Sequence, residues 1–433
     1  MDWKKINKDI DKYLKRLFPI NRSITGEGSR ETLKILSEIV PIEISEYNSG
    51  TQVFDWEIPE EWNIQDAWIK NAEGEKIIDF KKSNIHVMSY SKPVKCRLPF
   101  NELKDHLHYI KELPDAIPYR TSYYQSNFGF CLSYNDYKKK FNENDSYEIM
   151  IDSSLKPGKL LIGEVLIKGR IEKEYLISTY FCHPSLANDN LSGLLLTAFL
   201  AAELKKKNLN FSYRIIFIPE TIGAITYCSF KKEKIKKIDT GLVITTVGGP
   251  GSFGYKQSYQ SDNYINSMVE DVFKENKKEF ITYPFIIIGS DERQYSSQGF
   301  RINCVTITKD KYYEYPYYHT SLDNLDFVKP DYITDSLKLY LDLVNKMDKN
   351  IIYKNLYPDC EVMLSKHSLY PKTGGAITKG ATISTLEIIL WLIFYCDGSK
   401  SLYDISKILN VNYDLVYKEA KNLELKQIFS LIE

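Results

Sequence analysis

The run Tyr175-Leu-Ile-Ser-Thr-Tyr180 leads into Phe181-Cys-His-Pro-Ser-Leu-Ala-Asn-Asp-Asn190, and Leu191-Ser-Gly-Leu-Leu-Leu-Thr-Ala-Phe-Leu-Ala-Ala202 follows. An apolar β-like run, a polar loop and a small-residue helix in succession are the repeating unit of an α/β fold. Open α/β sheets carry their chemistry at the carboxyl ends of strands. His183 and Asp189 lie six positions apart on such a loop and can converge on one metal ion, imidazole and carboxylate both being zinc ligands. The same residues also suit a His-Pro turn before an Asx-rich helix start. Partners elsewhere must decide.

Outward from this stretch, strand and helix alternate over residues 159–348. Strands are expected at Lys159–Ile167, Tyr175–Phe181, Tyr213–Ile218, Gly241–Val247, Phe285–Ile288 and Ile302–Ile307. Helices are expected at Leu191–Lys207, Gly223–Lys232, Ser261–Asn276 and Tyr332–Lys349. Uninterrupted apolar strands separated by helices imply a largely parallel sheet covered on both faces.

At the N-terminus, Trp3, Ile6, Ile10, Leu14 and Leu17 recur at helical spacing, and Pro19 ends that helix. The loop Asn21-Arg-Ser-Ile-Thr-Gly-Glu-Gly28 follows, and Ser29 is expected to cap a second helix, Arg30–Val40. This loop could touch a ligand through Arg22 or Thr25, or be a capped turn between helices. From residue 46, Trp, Tyr, Val and Ile alternate with polar residues, as in Gln65-Asp-Ala-Trp-Ile-Lys70, and Tyr123–Ser133 and Ser146–Ile151 continue the pattern. His86, His106 and His108 in this stretch have no acidic or Cys neighbours at ligand spacing, and read as surface or core residues.

The last 80 or so residues read as an apolar helix (Thr385–Tyr395), a short helix (Ser401–Leu409), a turn, a helix (Tyr413–Asn422) and a β-like end. That order is a winged-helix pattern. Three parts follow: an α/β core of residues 1–45 and 157–350, an inserted all-β domain of residues 46–156, and a winged-helix-like domain of residues 351–433.

Lys+Arg and Asp+Glu balance at 57 each over 433 residues, so no net charge draws the chain to nucleic acid or an anionic membrane. The helix at Tyr413 has Lys balanced by Asp and Glu and no Arg, which argues for a packing or protein-contact role over DNA. Seven scattered cysteines without a Cys-x-x-Cys read as reduced thiols of a cytosolic protein. The N-terminus lacks a secretory apolar region, and the apolar run around Ile388–Tyr395 is too short to span a bilayer. A soluble, cytoplasmic protein is expected, and homo-oligomerisation is open.

Four polar segments fall at strand ends of the core: His183 to Asp189; Phe217-Ile-Pro-Glu-Thr-Ile-Gly223; Ile288-Gly-Ser-Asp-Glu-Arg-Gln-Tyr295; and Tyr317-Tyr-His-Thr-Ser-Leu-Asp323. In that order they resemble the zinc exopeptidases of the bacterial leucyl aminopeptidase type, relatives of the glutaminyl cyclases. Those enzymes show a strand-ending His, a bridging Asp, a Glu-Glu-x-Gly turn, an Asp after the next strand, a Ser-Asp-His element and a His-Thr-x-x-Asp element. The whole chain is similar to a bacterial branch that joins such a core to an inserted β domain and a winged helix, and that is linked to polysaccharide biosynthesis. The loop at Arg22, Tyr119-Arg-Thr-Ser-Tyr-Tyr124 and Gly289–Tyr295 fit that branch.

The resemblance implies a three-layer α/β/α core and a zinc site of His183, Asp189 and His319, with Glu220 as general base. Two departures stand out: Thr221 replaces the second Glu of the pair, and Ile244-Thr-Thr-Val-Gly-Gly249 lacks the expected Asp. One zinc is therefore expected, a pair being the alternative. Glu292 is a fourth-ligand or substrate-amine candidate, Arg293 or a tyrosine of 312–318 an oxyanion stabiliser, and Asp291 and Asp323 groups that orient ligands. The implied function is metal-dependent hydrolysis by an aminopeptidase of an N-terminal residue or related amide in a peptide or small molecule. The alternatives are a catalytically degenerate metal- and ligand-binding protein, and an amidohydrolase or deacylase of polysaccharide biosynthesis.

Overall fold

The computed structural model describes residues 1–370 and 383–432; residues 371–382 and 433 of the expected C-terminal domain lie outside the described residues. Two compact units emerge. The first comprises Met1–Ile167, Glu174–Lys207 and Ser212–Leu341, the second Lys168–Lys173, Asn208–Phe211 and Asp342–Glu433.

The first unit is built on an eight-stranded sheet. In chain order its strands are β1 (Glu43–Asn48), β2 (Lys159–Ile167), β3 (Ile171–Tyr180), β4 (Phe211–Ile218), β5 (Thr240–Val243), β6 (Phe253–Lys256), β7 (Phe280–Tyr283) and β8 (Asn303–Lys309). Their spatial order is β1-β2-β4-β3-β5-β8-β6-β7. β4 and β8 are buried at every position, as uninterrupted apolar strands under helices must be. The helix Gly193–Leu204 is buried on nearly all sides.

The sheet is mixed rather than largely parallel. β3 pairs β5, β5 pairs β8 and β6 pairs β7 in parallel, while β1–β2, β2–β4 and β6–β8 are antiparallel. Only three residues separate β2 from β3, whereas a parallel return needs a crossover of a dozen or more, so β2 must run against β3. The strand expected at Phe285–Ile288 is displaced to β7: Pro284 cannot donate to a ladder, and Ile286, Ile287 and Ile288 after it are exposed. The second helix begins at Glu27, after Gly26 at φ 102°, and ends at Leu36. Ser29 does not cap it; its hydroxyl donates to the Ser23 carbonyl at 3.0 Å.

Residues 46–156 contain a four-stranded antiparallel sheet in the order Lys76–Asp79, Glu61–Lys70, Ser146–Lys156, Val94–Pro99. Ile69, Phe100, Phe130 and Ile149 form its own core. Of the expected Tyr123–Ser133 strand only Phe130–Cys131 pairs. In the second unit the helices Thr385–Tyr395, Leu402–Leu409 and Tyr413–Leu425 stand with a three-stranded sheet of Ile352–Asn355, Asp397–Ser401 and Phe429–Leu431. Ser384 and Ser401 close capping boxes with Glu387 and Asp404, and left-handed Asn410 ends the middle helix. This is a winged helix. Among the described residues no helix is long and apolar enough to cross a membrane.

Candidate metal centre and active site

Adjacent β3 and β4 carry their ends to one place, where the Phe181 N–H donates to the Ile218 carbonyl at 3.0 Å. His183 follows β3 and Glu220 follows β4. Arg22 is buried, and its guanidinium donates to the His183 carbonyl at 3.0 Å and to the Leu17 carbonyl, so the N-terminal loop clamps the His183 turn from behind. Thr25 in the same loop bonds the Tyr90 hydroxyl at 2.6 Å.

Asp189 is held from two sides. The Tyr180 hydroxyl donates to its Oδ1 at 2.5 Å and shares a 2.7 Å hydrogen bond with Thr245 Oγ1. The backbone N–H groups of Asn188 and Asp189 donate to the two carboxylate oxygens of Asp323 at 2.6 and 2.9 Å, and the Tyr315 hydroxyl adds a third bond at 2.9 Å. Asp323 thus fixes the backbone that carries Asp189. Gly193 makes the next turn possible: a Cβ there would lie 2.2 Å from Asn190 Oδ1. His319 comes from the tyrosine-rich loop after β8. Its carbonyl accepts from the Tyr119 N–H at 2.8 Å, and its ring stacks on Tyr318 at 4.0 Å.

His183, Asp189 and His319 each offer one ligand atom within 4.8 Å of the other two. Asp189 Oδ2 and His319 Nε2 face each other at 3.0 Å, and both atoms are buried. Burial pushes the His183 imidazole down to about 4, leaving it neutral at pH 7. Burial opposes ionisation of Asp189, yet His183, His319 and the Tyr180 hydroxyl together hold it down at about 2. Two imidazoles and one ionised carboxylate that converge in this way are a fitting donor set for a divalent cation.

Glu220 Oε2 lies 3.7 Å from His183 Nε2. Burial, then the nearby Asp291 and Asp189, raise its carboxyl well above the ordinary range. The Asp291 carboxyl is pushed up to about 7 by burial, and its Oδ1 accepts from the Thr221 N–H at 2.7 Å. Thr221, at φ 64°, also accepts from Arg293 at 3.1 Å. Glu292 stands apart from the three clustered ligands: its Oε1 is occupied by Lys256 at 2.5 Å and Tyr312 at 3.0 Å. Burial likewise pushes Asp323 up to about 7.

A cavity of about 330 Å³ opens over this group, with His183, Glu220, Thr221, Arg293 and His319 on its walls. Trp56, Tyr119, Tyr123 and Tyr124 from the inserted stretch also line it. Tyr119 packs 5.2 Å from both histidine rings. Sequence reasoning missed Tyr180, Lys256 and the contact of Tyr119. For Tyr180 the signal was present, a polar-tipped residue closing an apolar strand; for Lys256 there was none.

The family model described as "Domain of unknown function (DUF4910)" matches residues 11–350, and one described as "winged helix-turn-helix" matches residues 351–430. The chain belongs to that family of unknown function. It is 43% identical to a Clostridium acetobutylicum protein named "Putative polysaccharide biosynthesis protein with aminopeptidase-like domain", over 98% of this chain and 96% of that one. A crystal structure titled as a "putative peptidase" from the same organism superposes with a TM-score of 0.86 at 41% identity, covering 100% of this chain and 98% of that one. The fold is also that of BSAP, a zinc aminopeptidase from Bacillus subtilis, with a TM-score of 0.57 at 12% identity over 80% of this chain and 95% of the other. The core fold is therefore aminopeptidase-like.

Proposed function

We propose that this chain is a metal-dependent amide hydrolase of the aminopeptidase-like kind, using one zinc ion held by His183, Asp189 and His319. The observation that carries this reading is the convergence of these three residues beside Glu220 on the wall of one cavity. A zinc ion held by these residues would supply Lewis-acid chemistry, lowering the pKa of water from 15.7 to about 7 and polarising an amide carbonyl.

The protein's own residues do the rest. Asp323 and Tyr180 orient Asp189, and Arg22 holds the His183 turn. Glu220 takes a proton at its carboxylate from the attacking water and passes it to the leaving nitrogen, so that water and amide become an acid and an amine. Tyr119, packed against both histidine rings, shields them from bulk water. Thr221 and Thr245, bonded to Asp291 and Tyr180, occupy the positions where the resembling enzymes carry further carboxylates, which supports one metal rather than two. The same two threonines favour, as the second reading, a degenerate protein that binds metal and ligand without turnover. The name of the Clostridium relative supports a place in polysaccharide biosynthesis, and the scattered reduced thiols support a cytoplasmic setting.

The test is metal content together with hydrolysis of a panel of aminoacyl-anilides and N-acyl sugars by wild type and Glu220→Gln. The hydrolase reading expects about one zinc per chain in both and a loss of 10²- to 10⁴-fold in the variant. Retained metal with no turnover on any substrate selects the degenerate binder. A His183→Ala protein with unchanged metal content sinks the site.

A further inference from the structure

An aminopeptidase recognises its substrate through a free ammonium, and a buried ammonium needs a carboxylate partner. The cavity offers little for that purpose. Among its lining residues Glu220 is the only carboxylate, and the reading above assigns it to proton transfer. Glu292, the other candidate for an amine, does not line the cavity, and its Oε1 is held by Lys256 and Tyr312. Asp291 does not line the cavity, and its Oδ1 is taken by the Thr221 N–H.

The wall at Thr221 instead presents a cation. Arg293 lines the cavity beside Glu220 and Thr221. One of its terminal nitrogens donates to the Thr221 hydroxyl at 3.1 Å, while its Nε–H is buried and without a partner. Glu220 and Asp291 both feel its charge, but neither forms an ion pair with it. A guanidinium on a cavity wall without a carboxylate partner is well used when an anion arrives, since guanidinium–carboxylate bonds are charge-assisted and directional. The same wall is the one from which a carboxylate is missing at Thr221. Among the residues that line the cavity, Arg293 is the side chain that carries a fixed positive charge.

We infer that Arg293 is the anchor for an anionic group on the substrate, so that the amides this site takes carry a carboxylate or equivalent anion, as N-acyl amino acids and acidic N-acyl sugars do, rather than a free amine. This inference rests on the hydrolase reading for its chemistry, a water-driven cleavage of the amide C–N bond to acid and amine, but its test does not depend on turnover. The full-length, zinc-loaded protein is titrated calorimetrically with N-acetyl-leucine, leucinamide and N-acetyl-leucinamide, which share the leucyl side chain and carry an anion, a cation and no charge respectively.

The expected result is that N-acetyl-leucine binds at least ten-fold more tightly than either of the others. Arg293→Met removes that preference while zinc content and melting temperature stay at wild-type values, and Arg293→Lys, which keeps the charge and loses the fork, restores part of it. Leucinamide binding as well as or better than N-acetyl-leucine overturns the inference, as does absence of binding by all three probes. Carboxylate binding that survives in Arg293→Met overturns it too, because the metal would then be the anchor. An anion preference without turnover on any amide defeats the hydrolase reading alone; turnover of leucyl-anilide without an anion preference defeats this inference alone.

Discussion

Removing the Asp323 carboxylate tests whether the metal site is built by the backbone that carries it. Asp323 is fully buried and accepts from three donors: the Asn188 N–H at 2.6 Å, the Asp189 N–H at 2.9 Å and the Tyr315 hydroxyl at 2.9 Å. Each buried donor left without an acceptor costs about 1–3 kcal/mol. The Tyr315 hydroxyl can turn and water can enter the vacated space, so Asp323→Ala is expected to lose about 3–4 kcal/mol of stability. Asp323→Asn keeps the shape and one acceptor and is expected to lose about 1–2 kcal/mol. Because the freed backbone carries Asp189, metal affinity should fall about 10- to 100-fold in Asp323→Asn. Urea unfolding of chelator-treated protein reads the first quantity, and competition with a metal-binding dye reads the second. Asn and Ala variants that both hold zinc within two-fold of wild type would falsify the claim that Asp323 positions the ligand loop.

Three further outcomes are expected. Tyr180→Phe removes the donor to Asp189 Oδ1 and the link to Thr245; dye competition should show zinc affinity reduced by about ten-fold with the melting temperature little changed, and an unchanged affinity rejects the role of Tyr180. Arg214, almost fully buried, bonds Glu164 and Glu174 at 2.5 Å each, so Arg214→Met strands two carboxylates and should cost about 3–5 kcal/mol in urea unfolding. Arg30, through two bonds of 2.7 Å, holds the Glu61 carboxyl down to about 2 from its ordinary 4.5. The folded value lies below the unfolded one, so this contribution is complete above pH 4.5 and fades as pH falls toward 2. Acid titration of the melting temperature should therefore drop more steeply between those limits in wild type than in Arg30→Met.

The elements that were legible in the chain are those whose own residues dictate them. The buried helix Gly193–Leu204 and the apolar runs at β2, β3 and β4 announce themselves by composition. The capping boxes at Ser384 and Ser401 mark the winged helix. Strand direction was not legible, because antiparallel β2 and parallel β5 read alike as buried apolar runs. β7 was misplaced because Phe285-Ile-Ile-Ile288 has more β character than Phe280–Tyr283; Pro284 and the lack of a covering element outweigh that propensity.

At the site, the order His183, Asp189, Glu220 and His319 could be read from motifs, since each needs a particular residue type at a strand end. The occupation of Glu292 could not. Lys256, its partner, is 36 positions away, on a strand whose antiparallel pairing with β8 the sequence does not display. Arg22 is a similar case. Its polar, Gly-containing loop suits a ligand contact as well as a turn, and only packing against β3 turns it onto the His183 carbonyl.

What the sequence determined by itself is the chemistry available: two histidines, an aspartate and a glutamate at the ends of α/β strands, with threonines at 221, 245 and 246. What the tertiary structure decided is which charges remain open. Burial leaves His183 neutral, and its neighbours keep Asp189 ionised. Lys256 pairs with Glu292, and Arg293 is left on the cavity wall without a carboxylate partner. Ion pairing and desolvation depend on distances of a few ångströms between residues far apart in the chain, and those distances exist only after folding.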